Sequence, residues 1–389
     1  MIIKPMIRNN ICMNAHPEGL AVEAQGQIDY VKNRDTIDGP KRVLVIGGSA
    51  GYGFASRIVS AYACGASTIN VAFERPASGK RTATVGWYNT EYFEGRAKHD
   101  DLDVGTIYGD AFSDEIKDET VKLIREKWGG GVDLVVYSLA APMRTDPKSG
   151  ETYRSVLKPV GEPFTARTID TMTGQFKTVT AEPATEEEIH ATVKVMGGED
   201  WEMWIDRLLE AGLLADGVKT VAYSYIGPEL IARVYREGSI GKAKEHLEAT
   251  SKGLNAKLAG IAGSAFVSVN KAVVTRASSV IPVVPLYGVI LFRVMKEMGL
   301  HEGPIEQIYR LFAERLYAGD TVPVDEEGRI RIDDWEMRDD VQKRVREIFD
   351  TVDEENLREM TDLDAYHNAF LRIHGFGVEG VDYEADVEP

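Results

Sequence analysis

A glycine-rich turn separates the first clearly predicted strand of this chain from the helical segment that follows it. The strand is the apolar run Arg42–Ile46, and Gly47, Gly48, Gly51 and Gly53 come directly after it. Glycine lets the backbone turn tightly and leaves its N–H groups bare, and the positive end of a helix dipole attracts anions. The pattern therefore predicts a strand–turn–helix unit that holds a pyrophosphate.

The spacing of these glycines indicates one class of nucleotide-binding fold. Gly47, Gly51 and Gly53 read G-x-x-x-G-x-G, which differs from the more common G-x-G-x-x-G and resembles the short-chain dehydrogenase/reductase superfamily. A purely structural glycine turn is the alternative interpretation. The next predicted strand, residues 67–73, is followed by Glu74, which is placed to accept hydrogen bonds from the adenosine ribose. We therefore expect NADH, because the Glu74 carboxylate would repel the 2′-phosphate of NADPH, although the adjacent Arg75 offers a partial offset.

The composition of the whole chain excludes other classes of protein. Its 389 residues carry a formal net charge of −17 without a basic stretch, so we expect no nucleic-acid partner. Cys12 and Cys64 are the only cysteines, which fits a reducing, cytoplasmic setting and predicts neither a disulfide framework nor a metal cluster. We expect no stable membrane insertion, because the apolar segment 277–292 is short and contains Pro282 and Pro285. Its residues 281–292 predict either the wall of an acyl pocket or ordinary core packing.

Predicted strands and helices alternate through the first part of the chain and resume after residue 217. Strands are expected at residues 42–46, 67–73, 105–108, 133–138, 218–225 and 265–270. This alternation is typical of an α/β fold with a doubly wound, mostly parallel Rossmann-type sheet. We predict one enlarged domain over residues 1–389, comprising an N-terminal extension (1–40), an insertion with a hairpin near the substrate site (143–200) and a mostly helical C-terminal extension (302–389). Two independent domains joined by a linker are the alternative.

Tyr235 and Lys244 are candidate catalytic residues, although they are nine positions apart in the sequence. On an unbroken helix this spacing would place them on roughly opposite faces. Two glycines and Ser239 lie between them, so we expect a break at which Ser239 caps a new helix. Lys242 or Lys244 would then face back toward Tyr235, where an ammonium would lower the pKa of the tyrosine hydroxyl.

Together these motifs resemble the trans-2-enoyl-CoA/enoyl-[acyl-carrier-protein] reductases of the long, NADH-using type, and the resemblance covers nearly the whole chain. It implies that NADH reduces the C2–C3 double bond of a trans-2-enoyl thioester, carried by CoA or by acyl-carrier protein, in cytoplasmic fatty-acid metabolism. The matching residues are Lys4-Pro5, 47–53, Phe73-Glu74, 109–113, 137–140, 194–201, 223–228, Tyr235 with Lys244, 269–271, 274–275 and 281–287.

The resemblance also implies roles for individual residues. Tyr235 would donate the proton, Lys244 would bind the nicotinamide ribose, and Tyr225 would meet the substrate. Tyr223 shares a strand face with Tyr225, but Tyr225 lies nearer the carboxyl end, where ligands bind. The implied cofactor contacts are Gly47, Gly48, Ser49, Ala50, Gly51, Tyr52 and Gly53 at the pyrophosphate, Phe73 and Glu74 at the ribose, Asp110 and Ala111 at the adenine, Ser138 and Leu139 in the cleft, and Val273, Val274 and Thr275 beside the nicotinamide.

Other functions stay open at the level of sequence. A ketoreductase or alcohol dehydrogenase of the same superfamily would use a serine placed as Ser224 is, but its lysine would follow the tyrosine by one helical turn. A non-catalytic NAD-sensing protein would need only the glycine loop. We expect a monomer or weak dimer without a metal ion. The net charge of −17 should repel an acidic carrier protein, unless basic side chains form a local patch, namely Arg276, Arg293, Lys296, Arg329 and Arg331.

Overall fold

The computed structural model describes residues 1–8, 11–274 and 284–389. Its strands are β1 (Ile7–Arg8), β2 (Ile11–Cys12), β3 (Arg42–Ile46), β4 (Ser67–Ala72), β5 (Val104–Tyr108), β6 (Val132–Tyr137), β7 (Met143–Thr145), β8 (Thr152–Arg154), β9 (Phe164–Ile169), β10 (Phe176–Ala181), β11 (Leu214–Ser224), β12 (Ser264–Val269) and β13 (Ile330–Arg331). Its α-helices are α1 (Pro17–Lys32), α2 (Gly51–Tyr62), α3 (Val85–His99), α4 (Asp114–Trp128), α5 (Glu186–Met196), α6 (Glu199–Glu210), α7 (Ser239–Leu258), α8 (Val284–Glu297), α9 (Pro304–Leu311), α10 (Asp339–Thr351), α11 (Leu357–Met360) and α12 (Leu363–Arg372).

Seven of these strands form one sheet in the order β5-β4-β3-β6-β11-β12-β13, and every neighbouring pair is parallel. The inner strand β3 shows why the sheet is buried on both faces. Val43 and Val45 pack with α1, α2 and α9 on one face, whereas Leu44 and Ile46 pack with α4, α6 and α7 on the other. Alternate side chains of a strand point to opposite faces, so an uninterrupted apolar run needs a cover on each. The predicted doubly wound α/β fold is confirmed.

The strand order reverses between β3 and β6. From β3 the chain moves outward through β4 to β5, and after α4 it returns to β6 on the other side of β3. The loops that leave the carboxyl ends of β3 and β6 therefore diverge and leave a crevice between them. Ligands of folds of this type bind in that crevice.

The predicted sheet strands lie close to the observed ones, with some differences at their ends. The predicted strand 67–73 ends at Ala72, and Phe73 beyond it is 80% exposed. The insertion contains the predicted hairpin, in which β9 and β10 pair antiparallel with Ile169 opposite Phe176. It also contains the short hairpin of β7 and β8 and the helix α5, which the sequence did not indicate. The division of the chain into extensions and an insertion stays a prediction.

The C-terminal helices build a third apolar core beside the sheet. Helices α8, α10 and α12 contribute to one cluster in which Leu286, Ile290, Val345 and Phe370 are buried. The apolar segment 277–292 thus enters this cluster through α8, while its residues 277–283 lie outside the described residues. Among the helices that the structure describes, none combines the length and the apolar character that crossing a lipid bilayer requires.

Helix α7 begins between the two candidate catalytic residues. Tyr235 lies in a run of turns, and α7 begins at Ser239 with Gly238 as its N-cap residue. The predicted break is confirmed, but the predicted cap is wrong. Ser239 Oγ donates a hydrogen bond of 2.6 Å to the carbonyl of Val156 instead of capping the helix. This acceptor belongs to the insertion, which no pattern near Ser239 indicates.

Gly241 and Gly253 of α7 allow a test of how tightly the turns that precede this helix pack against its start. A Cβ on Gly241 would lie 1.8 Å from the carbonyl oxygen of Arg236, whereas a Cβ on Gly253 would meet no atom within 4 Å. We expect Gly241→Ala to lower the free energy of unfolding by about 1–3 kcal/mol, the usual cost of overpacking. Gly253→Ala should instead raise it by up to about 1 kcal/mol, because alanine is the better helix former. Urea unfolding measures both, and equal effects would contradict this account of the turn.

Candidate active site

The loop after β3 approaches its neighbours more closely than any side chain would permit. Gly47 has a φ of +86°, and a Cβ there would lie 2.3 Å from the carbonyl oxygen of Ser138. A Cβ on Gly53 would lie 2.1 Å from the carbonyl oxygen of Gly47, so α2 starts directly against the loop. Ala50 is the N-cap residue of α2, and within the described residues no side chain caps this helix. The first N–H groups of α2 can therefore bind an anion such as a pyrophosphate.

Glu74 lies over this loop, just beyond the end of β4. Its Oε1 accepts a hydrogen bond of 2.8 Å from Ser49 Oγ, and a Cβ on Gly86 would lie 2.1 Å from the same oxygen. Tyr52 ties the loop to the end of β12, because its hydroxyl donates to the carbonyl of Lys271 over 2.8 Å. The structure thus brings the acidic residue and the glycine loop together, as the assignment of Glu74 to the adenosine ribose requires.

The loop after β5 is held in place by buried side chains. The carbonyl oxygen of Ala111 accepts hydrogen bonds from Lys117 Nζ at 3.0 Å and from Trp204 Nε1 at 3.1 Å. Lys117 is itself buried and forms an ion pair with Asp200 at 2.8 Å. Asp110, the neighbour of Ala111, is exposed. This loop is therefore fixed by hydrogen bonds at the position where we expect the adenine.

The residues after β6 lie beside the glycine loop. The N–H of Ser138 donates to the carbonyl of Ile46 over 2.8 Å, which places Ser138 next to the end of β3. The side chain of Leu139 lies 3.0 Å from the position of a Cβ on Gly47. Both residues thus border the crevice at the reversal of strand order, where the sequence predicts them.

The residues after β12 approach the crevice from the C-terminal core. Val274 is buried in the cluster that α8, α10 and α12 form, and Val273 precedes it at an intermediate exposure. The N–H of Asn270 donates to the carbonyl of Ser224 over 2.9 Å, which joins the carboxyl ends of β11 and β12. Thr275, the third residue expected beside the nicotinamide, lies outside the described residues.

Tyr225 and Tyr235 meet at the carboxyl end of β11. Their rings pack edge to face with centroids 4.8 Å apart. The hydroxyl of Tyr225 donates to Glu336 over 2.9 Å, whereas the hydroxyl of Tyr235 has no hydrogen-bond partner among the described residues. Tyr223 packs elsewhere, since its hydroxyl lies 2.6 Å from Ser56 Oγ in α2. The structure therefore brings Tyr225, and not Tyr223, to the candidate proton donor.

Lys244 reaches back from α7 to the same strand end. Its Nζ donates to the carbonyl oxygen of Tyr223 at 3.4 Å. Burial lowers the pKa of Lys244 to about 8, and the nearby Glu248 opposes the shift. Lys242 is exposed and pairs with Glu245 at 2.9 Å. Of the two lysines considered in the sequence, only Lys244 thus lies at the strand ends.

The hydroxyl of Tyr235 stays protonated. Burial raises its pKa above the ordinary value, and the carboxylate of Glu336 adds to the rise. The prediction that a lysine lowers this pKa is therefore wrong for this structure, because desolvation dominates and the charge that acts on the hydroxyl is negative. Tyr235 can serve as a neutral hydrogen-bond donor.

Glu336 is the residue of this site that the sequence analysis missed. It is buried, and besides Tyr225 it accepts hydrogen bonds from the hydroxyl of Tyr287 and from the N–H of Ala272, both at 2.7 Å. It lies in the acidic run 333–340, where neither composition nor spacing distinguishes one carboxylate from another. Only its position in the folded chain identifies it.

Three family models match successive parts of the chain. They are the NAD(P)H binding domain of trans-2-enoyl-CoA reductase over residues 2–79, the trans-2-enoyl-CoA reductase catalytic region over 81–317 and the enoyl reductase FAD binding domain over 324–387. The first range contains the glycine loop and Glu74, and the second contains Tyr225, Tyr235 and Lys244. Glu336 falls in the third.

The junction between β13 and α10 in segment 324–387 does not fit the pyrophosphate of a flavin. The segment contains β13 and α10 to α12, and its Val345 and Phe370 are used in the apolar core against α8. A dinucleotide cofactor needs a glycine-rich turn or an open helix N-terminus for its pyrophosphate. No glycine lies between β13 and α10, and the first turn of α10 carries Asp339 and Asp340, which would repel a phosphate.

Similar proteins match the chain over nearly its full length. The enoyl-[acyl-carrier-protein] reductase [NADH] of Cytophaga hutchinsonii is 55% identical over 387 residues, with coverage of 100% of this chain and 98% of that protein. The trans-2-enoyl-CoA reductase [NADH] of Treponema denticola is 56% identical over 395 residues, with coverage of 100% and 99%. The crystal structure of the Treponema denticola enzyme in complex with NAD has a TM-score of 0.96 to this chain, at 56% identity and with coverage of 100% and 98%. The chain therefore belongs to the trans-2-enoyl-CoA reductase family.

Proposed function

We propose that this protein uses NADH to reduce the C2–C3 double bond of trans-2-enoyl thioesters in fatty-acid metabolism. The observation that carries the proposal is the hydroxyl of Tyr235, which is unpaired within the described residues and stands against Tyr225 at the end of β11. Lys244 lies at the same strand end. The names of the relatives support both the reaction and its cofactor.

The proposal gives each of these residues a task in the reaction. When bound, NADH supplies the hydride that adds to Cβ of the enoyl thioester. The addition leaves negative charge on the thioester oxygen, and Tyr235 donates its hydrogen bond to this enolate oxygen. Lys244 holds the nicotinamide ribose, and Tyr225 contacts the substrate. A proton that is supplied through the Tyr235 hydroxyl, and replaced there from solvent, is added at Cα and completes the saturated product. A preorganised donor such as Tyr235 is worth about 3 kcal/mol.

A ketoreductase function has less support. Its serine would be Ser224, whose buried hydroxyl has no hydrogen-bond partner among the described residues and therefore does not decide between the two functions. The position of the lysine does: in a ketoreductase it would follow the tyrosine on one helix, whereas the start of α7 separates Tyr235 from Lys244. The enoyl thioester is therefore the better substrate for this site.

The proposal can be tested by measuring whether the protein oxidises NADH with an acyl-CoA substrate when no flavin is added. Crotonyl-CoA should be reduced to butanoyl-CoA, identified by mass spectrometry, and acetoacetyl-CoA should not react. Turnover of acetoacetyl-CoA alone would instead favour the ketoreductase. Turnover of neither compound, and none of crotonyl-[acyl-carrier-protein], would contradict both functions and leave the NAD-sensing protein.

Electrostatics favour CoA over acyl-carrier protein as the carrier of the acyl group. The net charge of −17 repels an acidic protein over long range. The basic side chains that would reverse this effect are engaged with acidic neighbours, and Arg276 lies outside the described residues. The pairs are Arg293 with Glu297, Lys296 with Asp362, Arg329 with Asp325 and Arg331 with Asp333.

Salt dependence tests this preference. Crotonyl-CoA should have the higher kcat/KM at low ionic strength, because the carrier protein meets the stronger repulsion. The difference should shrink as salt is added, since salt screens the charges. A carrier-protein substrate that is preferred at low salt would contradict the argument.

Tyr235→Phe should lower kcat by about a hundredfold or more, because one preorganised donor to the enolate oxygen is lost. The affinity for NADH should stay nearly unchanged. Tyr225→Phe should cost less, since the proton of its hydroxyl is committed to Glu336. Steady-state kinetics with crotonyl-CoA and fluorescence titration with NADH measure these effects. Near-normal turnover by Tyr235→Phe would remove Tyr235 from the mechanism and make Tyr225 the leading candidate.

Lys244 predicts a pH dependence of the reaction. With a pKa of about 8, its ammonium form is present below that pH and is lost above it. The kcat/KM for NADH should therefore fall as the pH rises through this value, because the parameter reports groups of the free enzyme. Lys244→Met should weaken turnover and NADH binding together. It should also abolish the fall of kcat/KM at high pH. If kcat/KM for NADH still fell with rising pH in Lys244→Met, the ionisation would belong to another group.

We expect the carboxylate of Glu74 to determine the preference for NADH over NADPH. Glu74→Ala removes the charge that repels the 2′-phosphate, so the ratio of kcat/KM values should shift toward NADPH. Glu91→Ala is the control, because it removes an equal charge from α3, where Glu91 accepts from Tyr108 at 3.2 Å. The ratio should not change in the control. An equal response of the two variants would show that Glu74 does not recognise the ribose.

A further inference from the structure

A buried carboxylate from the C-terminal segment receives three hydrogen bonds beside the candidate proton donor. Glu336 Oε1 accepts from the hydroxyls of Tyr225 at 2.9 Å and Tyr287 at 2.7 Å. Its Oε2 accepts from the N–H of Ala272 at 2.7 Å. The three donors belong to the end of β11, to α8 and to the residues after β12. Glu336 therefore joins three segments that border the site.

The hydrogen bond to Glu336 uses the only proton of the Tyr225 hydroxyl. A tyrosine hydroxyl has one proton to donate, and Tyr225 gives its proton to Glu336. Tyr287 does the same while accepting from Gln342 Nε2 at 3.2 Å. While these bonds persist, Tyr225 can offer only acceptor lone pairs to a ligand. Tyr235, whose hydroxyl is uncommitted within the described residues, remains the donor.

The surroundings of Glu336 also bear on its charge. Burial raises the pKa of Glu336, and the buried Lys271 opposes the rise. Lys271 Nζ donates to the carbonyl oxygen of Ala272 at 2.7 Å, so its charge is held near the carboxylate. Three hydrogen bonds to the carboxylate act in the same direction as Lys271, because they stabilise the charged form.

We propose that Glu336 is a positioning residue for the enoyl reduction: it holds the hydroxyl of Tyr225, sets the ring of Tyr225 edge-on against Tyr235 and thereby leaves Tyr235 as the proton donor. This inference rests on the proposed function. It also assigns a task to segment 324–387, which supplies a carboxylate to the catalytic tyrosines.

Glu336→Gln tests the proposal with little change of shape. An amide has one oxygen and one NH₂ group, so it cannot accept from the two tyrosines and from the N–H of Ala272 at once. We expect kcat with crotonyl-CoA to fall about tenfold to a hundredfold, the scale of a misplaced reacting group. NADH affinity, measured by fluorescence titration, should stay within about twofold, because within the described residues Glu336 forms no hydrogen bond to the glycine loop.

Asp333→Asn is the matched control. Asp333 is also a buried acid of segment 324–387, and it pairs with Arg331 at 2.7 Å and contacts neither tyrosine. It should lower the melting temperature without lowering kcat. If both variants lost kcat in proportion to stability, Glu336 would be a structural residue and the proposal would be overturned.

A double-mutant cycle separates positioning from general damage. In Tyr225→Phe the hydroxyl that Glu336 holds is absent, so adding Glu336→Gln should lower kcat little further. Fully additive losses would overturn the role of Glu336. A wild-type enzyme that reduced neither crotonyl-CoA nor crotonyl-[acyl-carrier-protein] would overturn the proposed function instead. The cycle would then be measured by the melting temperature, where additive effects would equally overturn the link between Glu336 and Tyr225.

Discussion

The rest of the structure depends on the close approach of Gly47 to the carbonyl group of Ser138. A single added carbon would lie 2.3 Å from that oxygen, so the contact exists only because residue 47 has no side chain. It joins the ends of β3 and β6 at the point where the strand order reverses. The crevice opens at this junction, α2 starts against the same loop through Gly53, and Glu74 is held over the loop by Ser49. The part of the candidate site around the glycine loop therefore depends mainly on backbone geometry.

The fold around the glycine loop was predictable because each of its signals is local. The apolar run of β3 predicts a strand that is buried on both faces, and the glycines after it predict the turn. Helix α4 shows the same principle, since Ser113 caps its start by accepting from the N–H of Ile116 at 3.3 Å and Gly129 ends it with a φ of +72°. Each of these outcomes is decided within a few residues of chain, so a single sequence contains the information.

The part of the candidate site around the tyrosines was not predictable in the same way, because its contacts join distant segments. Ser239 was assigned as a cap on local grounds, but the carbonyl of Val156 from the insertion takes its hydroxyl. Glu336 and Tyr287 reach Tyr225 only through the packing of the C-terminal core against α8. No spacing rule relates such residues, since the distance along the chain does not determine which carboxylate of an acidic run becomes buried.

The buried cations of this chain show how structural and functional charges differ. Lys117 is paired with Asp200 and Arg310 with Glu302, each at 2.8 Å, which compensates the cost of removing the charge from water. Lys244 has, within the described residues, only the carbonyl oxygen of Tyr223 at 3.4 Å. Lys271 likewise has no carboxylate partner within the described residues, and its Nζ donates to the carbonyl oxygen of Ala272 at 2.7 Å. Burial lowers the pKa of both lysines to about 8. An ammonium without a carboxylate partner gains the most from a ligand that brings oxygen acceptors to it. The hydrogen bond of Lys244 is the longer of the two, and under the proposed function the ribose hydroxyls would supply the acceptors that the chain does not provide there.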